Sequence, residues 1–231
     1  MSAYKLIDQF FLQPTSAGAF YAVTGDEPEP LRRLLLALLA EAATPRVDLP
    51  KLCYWLGVAD DQQALHLLHQ AQTLAWVQGY REPRNIVEAG IGRQLQDPLR
   101  RLSSVGKALL VDGNGFPLAR HGLDDATVDA LSALSADLAA VQTRHAARLK
   151  QCLKMPTQGW GALDAFGSSR IAVWPLFVGA RRLLLVVLGE PRLSQPEFIT
   201  LVWMLINRYG SKLNGGASDT GLNHPSGLTG F

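Results

Sequence analysis

A long stretch without glycine or proline, residues 125–150, limits the folds open to this chain. Aspartates lie at its start, and Arg148 and Lys150 lie at its end, a distribution that suits the dipole of a helix. The stretch is therefore predicted to form one long helix. Its apolar side needs a sheet to cover it, so strands are expected in the segments on either side.

Strand-like segments do flank the long helix. Before it, residues 107–111 and 116–120 are separated by a glycine-rich turn whose residues tolerate positive φ, Asp112-Gly113-Asn114-Gly115. After it, residues 151–156, 170–178 and 181–188 are predicted as three more strands, the last two joined as a hairpin. Residues 157–169 are predicted to form a loop that displays Trp160. A closing helix to about residue 213 should begin with Ser194 as its cap and Glu197 at the capping-box position.

The N-terminal part is predicted to form a small helical module. The apolar spacing indicates helices over residues 31–43, 48–56 and 62–74, with Asp48 and Asp60 as caps. A strand at residues 75–77, a turn at 79–84 and a returning strand at 85–87 would complete a winged-helix layout, and a helix over 88–102 would follow. We therefore expect an arm at 1–24, a winged-helix-like domain at 25–89, an α/β domain at 90–214 and a disordered tail at 215–231.

The run GKALLVDGNGFPLARHG, residues 106–122, resembles the opening hairpin of the Roadblock / dynein light chain family. That hairpin is a strand ending in Val-Asp, a glycine turn and a short strand ending near glycine. Pro175-Leu176 within residues 171–188 resembles the family's last hairpin, and residues 88–102 resemble its leading helix. The match covers about residues 90–212, and the order of the predicted elements agrees with it.

The resemblance implies a fold and a kind of partner. The fold is a five-stranded antiparallel sheet with flanking helices, here preceded by the small helical domain. Members form homodimers or heterodimers with a continuous intermolecular sheet, and they bind or regulate a small Ras-like GTPase. Bacterial members similar to MglB act on a GTPase of the MglA type.

Two apolar stripes run along the predicted long helix when residues are placed at about 100° intervals. The first stripe, assigned to the domain's own sheet, contains Leu131, Leu134, Leu138, Val141 and Leu149. The second stripe consists of five alanines, Ala126, Ala130, Ala133, Ala140 and Ala147. A smooth alanine surface lets another helix come close, so this stripe is predicted to pack on its copy in a homodimer. The alternative is that the alanines serve helix propensity alone.

No catalytic motif is present: the sequence has no GxSxG, no HExxH and no Walker loop. His66 and His69 have the spacing of metal ligands on a helix, but apart from Asp60 and Asp61 no acidic residue or cysteine of the same segment joins them. Surface histidines are the favoured interpretation. We predict no enzyme activity and no catalytic, cofactor-binding or metal site.

A winged helix raises an alternative, a DNA-binding transcriptional regulator dimerised by the Roadblock-like domain. The helix that would enter the major groove has no Lys or Arg and begins with two aspartates, which phosphate repels. Arg81 and Arg84 in the predicted wing are the only candidate contacts to nucleic acid. The net charge is only +2, so protein docking is favoured over DNA binding. A third alternative, a small-molecule sensor, requires a ligand-sized cavity between sheet and helices.

The apolar runs are far shorter than the roughly 20 residues that span a bilayer. No basic stretch followed by an apolar core marks the N-terminus as a secretory signal. The two cysteines, Cys53 and Cys152, form no CxxC pair, and thiols in a reducing compartment are the simpler interpretation. We therefore expect a cytoplasmic protein without membrane insertion.

Overall fold

The computed structural model describes residues 4–7, 9–85, 95–154 and 159–210. The N-terminal part contains the elements β1 (Phe11–Pro14), α1 (Ser16–Val23), α2 (Pro30–Ala40), α3 (Leu49–Leu56), α4 (Asp61–Thr73) and β2 (Val77–Tyr80). The C-terminal part contains α5 (Gln96–Arg101), β3 (Ala108–Asp112), β4 (Pro117–His121), α6 (Asp125–Leu153), β5 (Trp160–Leu163), β6 (Ser169–Val178), β7 (Arg181–Leu188) and α7 (Pro196–Tyr209).

Five antiparallel strands form the main sheet, in the order β4-β3-β7-β6-β5. β3 and β7 occupy the middle of this sheet, where both faces are covered, and this explains their nearly continuous apolar sequences. The predicted five-stranded antiparallel sheet with flanking helices is confirmed. The elements follow one another in the order that the resemblance implies, and this part of the chain has a Roadblock-like fold.

The two faces of the sheet are covered differently. The long helix α6 covers one face, where a small apolar cluster includes Val111, Val128, Leu131 and Val186. The other face belongs to a much larger apolar cluster that extends from Leu12 to Ile206 and so includes residues of the N-terminal helices. The N-terminal part therefore packs against the closing helix α7, and α1 also contacts β6 of the sheet directly.

Two hydrogen bonds tie α7 to the N-terminal part. Trp203 Nε1 donates to the carbonyl oxygen of Glu41 at 2.7 Å, and Asn207 Nδ2 donates to the carbonyl oxygen of Leu39 at 2.7 Å. Both acceptors lie at the C-terminal end of α2, where carbonyl groups lack partners within the helix.

The predicted boundary near residue 90 lies outside the described residues and stays a prediction, as do the other domain limits.

The strand pairing of the N-terminal part differs from the predicted hairpin. α4 ends in a turn in which Ala75 has a φ of +53° and the Trp76 N–H bonds to the Ala71 carbonyl at 2.8 Å. Residue 75 is therefore part of a helix-ending turn, and the strand begins at Val77. This strand pairs with β1, and of the predicted returning strand only Asn85 is described, in an isolated bridge to Ala43. The winged-helix layout is not confirmed.

Three predictions in the C-terminal part are wrong: the strand over residues 151–156, the loop over 157–169 and the capping box. Residues 151–153 form the last turn of α6 and no strand. The third strand of the main sheet in chain order is β5, which lies inside the predicted loop 157–169. The capping box at α7 is not formed, because the helix has Gln195 at its N-cap without a side-chain bond. The Ser194 carbonyl instead accepts a hydrogen bond from Ser16 Oγ at 2.9 Å. The predicted tail, residues 215–231, lies outside the described residues.

Within the described ranges, no helix combines the length and the apolar character needed to cross a membrane.

Candidate interaction surface

The side of the long helix that faces the sheet is built largely from small and polar residues. The buried positions recur every three or four residues and are Val128, Leu131, Ser132, Ser135, Ala139 and Gln142. Ser135 Oγ is accommodated because it donates to the Leu131 carbonyl at 2.7 Å. The predicted leucine stripe is therefore only partly correct, since Leu134 is 44% exposed and Val141 is 39% exposed.

The outer side of the long helix carries an alanine-rich strip that is open to solvent. All five alanines of the predicted stripe are exposed: Ala126, Ala130, Ala133, Ala140 and Ala147. Leu134 and Val141 flank them on the same side of the helix. We call this strip the alanine face. No part of the described chain covers it, although dimerisation through these residues remains a prediction.

The edge of the sheet beside this helix is also open. In the described part of the chain β5 is the outermost strand and pairs only with β6, and its four residues are exposed. Trp160 Nε1 donates to the side-chain oxygen of Gln142 in α6, so the strand and the helix are neighbours. An unpaired strand edge offers free backbone donors and acceptors to another chain.

The turn after β5 holds two apolar side chains in solvent. Leu163 is 65% exposed and Phe166 is 94% exposed. Asp164 Oδ1 accepts the backbone N–H groups of Phe166 at 2.9 Å and Ser168 at 3.0 Å, and Oδ2 lies 3.0 Å from an Arg170 nitrogen. The hydrogen bond from Ser168 lowers the pKa of Asp164. The turn is thus fixed by one carboxylate and presents an aromatic ring at its tip.

Arg182 joins the start of β7 to the long helix. Its guanidinium donates to Thr143 Oγ1 at 2.6 Å and to the Ala139 carbonyl at 3.2 Å, and partial burial lowers its pKa. It forms no ion pair with any carboxylate of the described residues. Sequence reasoning missed this contact, and the Arg181-Arg182 pair after a hairpin turn is the signal that could have indicated it.

The C-terminal part of the long helix contacts the acidic turn of the N-terminal part. Lys150 Nζ donates to Glu27 Oε1 at 2.7 Å, and this bond lowers the pKa of Glu27 and raises the pKa of Lys150. Both groups are well exposed, so the pair adds little to stability. It does show that the N-terminal part reaches the helix that carries the alanine face.

The candidate nucleic-acid contacts, Arg81 and Arg84, are both exposed. Arg84 lies over the ring of Tyr80 at 3.5 Å and its Nη1 is 3.4 Å from Gln13 Oε1, so its guanidinium is engaged with the protein's own β1–β2 pair. The exposed side of α4 consists mainly of glutamines and histidines. These contacts to nucleic acid remain a prediction.

The two histidines of α4 lie beside an aromatic ring. Tyr4 stacks on His69 with ring centroids 4.5 Å apart, and the His66 ring lies 6.0 Å from the same tyrosine. Among the described residues, no three His, Cys, Asp or Glu side chains gather as they would around a metal ion.

No protein-family model and no curated protein sequence matches the chain. Among solved structures, gliding protein MglB from Thermus thermophilus is 21% identical, with a TM-score of 0.35 over 54% of this chain and 95% of that chain. A Roadblock/LC7 domain from Streptomyces avermitilis is 16% identical, with a TM-score of 0.33 over 50% of this chain and 90% of that chain. An MglB with a tetrameric arrangement is 21% identical, with a TM-score of 0.37 over 54% of this chain and 94% of that chain.

Proposed function

We propose that this protein is a non-catalytic homodimer that acts as an adaptor or regulator of a small Ras-like GTPase of the MglA type, or of a related cytoplasmic complex. The observation that supports the proposal is the exposed alanine face beside an unpaired strand edge. An apolar helix face and an open edge are both surfaces that proteins normally cover.

A second copy of the chain can cover both surfaces at once. In a twofold arrangement the same patch serves on both chains, so one alanine face packs against the other while β5 extends the sheet across the interface. The small side chains allow the two helices to approach closely, and Leu134 and Val141 add apolar area. The continuous intermolecular sheet is what the Roadblock resemblance implies, and the contact between the two helices is what the alanine stripe predicts.

The charges of the outer helix face are also compatible with a copy. Asp137 and Arg144 are both exposed and lie seven residues apart on the side that carries the alanines. In an antiparallel pair of helices centred near Ala140, each aspartate would face an arginine of the other chain. Opposite charges placed in this way favour one register over its alternatives.

The association is tested by sedimentation velocity at micromolar concentration. The wild-type protein is expected at twice the chain mass of 25.1 kDa. The double variant Ala133→Glu, Ala140→Glu places carboxylates in the apolar contact and is expected to weaken association by about 100-fold or more. Gln62→Glu adds the same kind of charge at an exposed site on α4 and serves as the control.

Circular dichroism establishes that each variant remains folded. A wild-type protein that sediments only as a monomer contradicts the proposal. A double variant that remains as dimeric as the control shows that association uses another surface.

The GTPase partner is tested with the protein as a dimer. An MglA-type GTPase from the same source is loaded with GDP or with a non-hydrolysable GTP analogue, and binding is measured by interferometry. We expect binding that depends on the nucleotide and that is lost in the monomeric double variant. Any stimulation of hydrolysis would act by reshaping the switch segments of the GTPase. Equal failure to bind in both nucleotide states at tens of micromolar would exclude this partner while leaving the homodimer intact.

A further inference from the structure

Three arginines line a pocket of about 400 Å³ that belongs to neither the alanine face nor the open edge. Arg100 and Arg101 are the last residues of α5, and Arg192 lies in the connection from β7 to α7. The remaining lining residues are Ser103, Gly106, Gln195 and Glu197. Arg192 is distant in sequence from the adjacent pair Arg100 and Arg101, so it is the fold that brings the third arginine to the other two.

The pocket carries an excess of positive charge. Glu197 is its only acidic lining residue, and its carboxylate lies 3.5 Å from Arg101. Arg100 and Arg192 form no ion pair with any carboxylate of the described residues. Cations are favoured at the C-terminal end of a helix, which accounts for Arg100 and Arg101 but not for Arg192. Two guanidinium groups are thus left available to an anion.

One wall of this pocket is held in place before any ligand arrives. Ser103 Oγ donates to the Leu188 carbonyl at 2.7 Å and accepts the N–H groups of Val105 and Lys107, each at 3.1 Å. Gly106 completes the turn with a φ of +68°, a conformation that favours glycine. A preformed wall reduces the entropy that a ligand must overcome on binding.

We propose that this arginine pocket binds the phosphate group of a small soluble phosphate monoester. A phosphate monoester carries close to two negative charges at neutral pH, which matches the excess charge of the pocket. The planar guanidinium group offers paired donors that suit phosphate oxygens. The volume lies at the lower end of the range for small-ligand sites, so the ligand is of the size of a short sugar or polyol phosphate.

Glu197 competes with the ligand in this site. Its carboxylate occupies Arg101 when the pocket is empty, and it repels an incoming phosphate. Removing its charge should therefore tighten binding, whereas removing an arginine should weaken it. These opposite signs separate an anion site from a merely structural cluster.

The probe is glycerol 3-phosphate, titrated into the full chain by calorimetry at constant ionic strength, with glycerol and sulfate as comparison ligands. We expect saturable binding of one glycerol 3-phosphate per chain and no binding of glycerol. Arg100→Gln and Arg192→Gln should each weaken binding by about tenfold, the effect of losing one charge-assisted hydrogen bond. Glu197→Gln should tighten it by roughly threefold. Arg33→Gln removes an equal charge at an exposed position on α2, outside the pocket, and should leave binding unchanged.

The proposal is overturned by an absence of saturable binding up to on the order of 10 mM, where any useful affinity would be detected. It is also overturned if Arg33→Gln weakens binding as much as Arg192→Gln, because the effect would then come from the overall charge and not from the pocket. A chain that binds vesicles of phosphatidylcholine with phosphatidic acid but not glycerol 3-phosphate has a lipid-headgroup site instead. None of these outcomes depends on dimerisation or on a GTPase.

Discussion

Single aspartates fix several of the local structures in this protein. Asp48, Asp60 and Asp124 each cap a helix by accepting a backbone N–H three residues further on. The caps at Asp48 and Asp60 were predicted from sequence and are confirmed, because a cap depends only on residues within one helical turn. The same chemistry appears at Asp164, where the acceptor serves a turn between strands.

The carboxylate of Asp164 should titrate at a lower pH than an ordinary aspartate. Its pKa is lowered in the folded state, so its contribution to stability is present above the unfolded value of about 3.9 and is lost as the pH falls through the lower folded value. The side-chain ¹³C shift of Asp164 and the amide shifts of Phe166 and Ser168 should all report this midpoint. Asp164→Asn keeps an acceptor oxygen but cannot titrate, so the two amides should lose this pH dependence. A midpoint at or above about 3.9 would contradict the assignment.

At the scale of the element, the bounds of the long helix are close to those that the sequence predicts, but the set of residues that faces the sheet is different. The alanines face solvent as expected, whereas the buried side contains Ser132, Ser135 and Gln142 in place of Leu134 and Val141. A hydrophobicity pattern assigns the largest side chains to the core. It cannot show that serines are among the side chains buried against the sheet, because the space and the hydrogen-bond partners available in the folded chain decide this.

The two buried serines of this helix provide a matched pair. Ser135 Oγ has partners in the Leu131 and Ser132 carbonyls, whereas Ser132 Oγ is buried and has no hydrogen-bond partner in the described structure. Ser132→Ala removes an unsatisfied polar group and should raise the free energy of unfolding by about 1 kcal/mol. Ser135→Ala loses satisfied bonds and should leave stability unchanged or lower it by about 1 kcal/mol.

Urea denaturation at one fixed protein concentration measures both serine variants, because association would otherwise alter the midpoint. Equal effects from the two substitutions would show that the hydroxyl of Ser132 has found a partner.

Two hairpins of the C-terminal sheet, β3–β4 and β6–β7, follow from local turn signals, but the pairing of β3 with β7 does not. β6 and β7 were predicted almost to the residue, since a short turn joins them. β1 pairs with β2, which lies more than 60 residues further along the chain, and no local sequence pattern predicts a pairing over that distance. β5 was missed because its sequence, WGAL, is short, contains glycine and lies at an exposed edge. The arginine pocket was also missed, because Arg192 meets Arg100 and Arg101 only in the folded chain.

At the scale of the whole molecule, the two parts of the chain share one apolar core. The large cluster contains Leu34 and Leu38 of α2 together with Phe198 and Val202 of α7, all of them buried. The long helix α6 thus covers one face of the sheet. The other face is covered by the closing helix α7, which shares its apolar core with the N-terminal helices. Two parts that share a core in this way should unfold as one cooperative unit.

Trp203 tests that cooperativity, because its indole lies in the shared core and donates to the Glu41 carbonyl. Trp203→Phe keeps an aromatic ring but removes the donor, and it should lower the free energy of unfolding by about 1–3 kcal/mol. Hydrogen exchange in urea should show that amides of α2 and of β7 lose protection together and that the substitution shifts both by the same amount. Trp160→Phe, the same change at a partly exposed site, should cost less than about 1 kcal/mol. If only the α7 and β7 amides respond to Trp203→Phe while α2 keeps its protection, the N-terminal part folds independently and the contact across Trp203 is merely a docking of two domains.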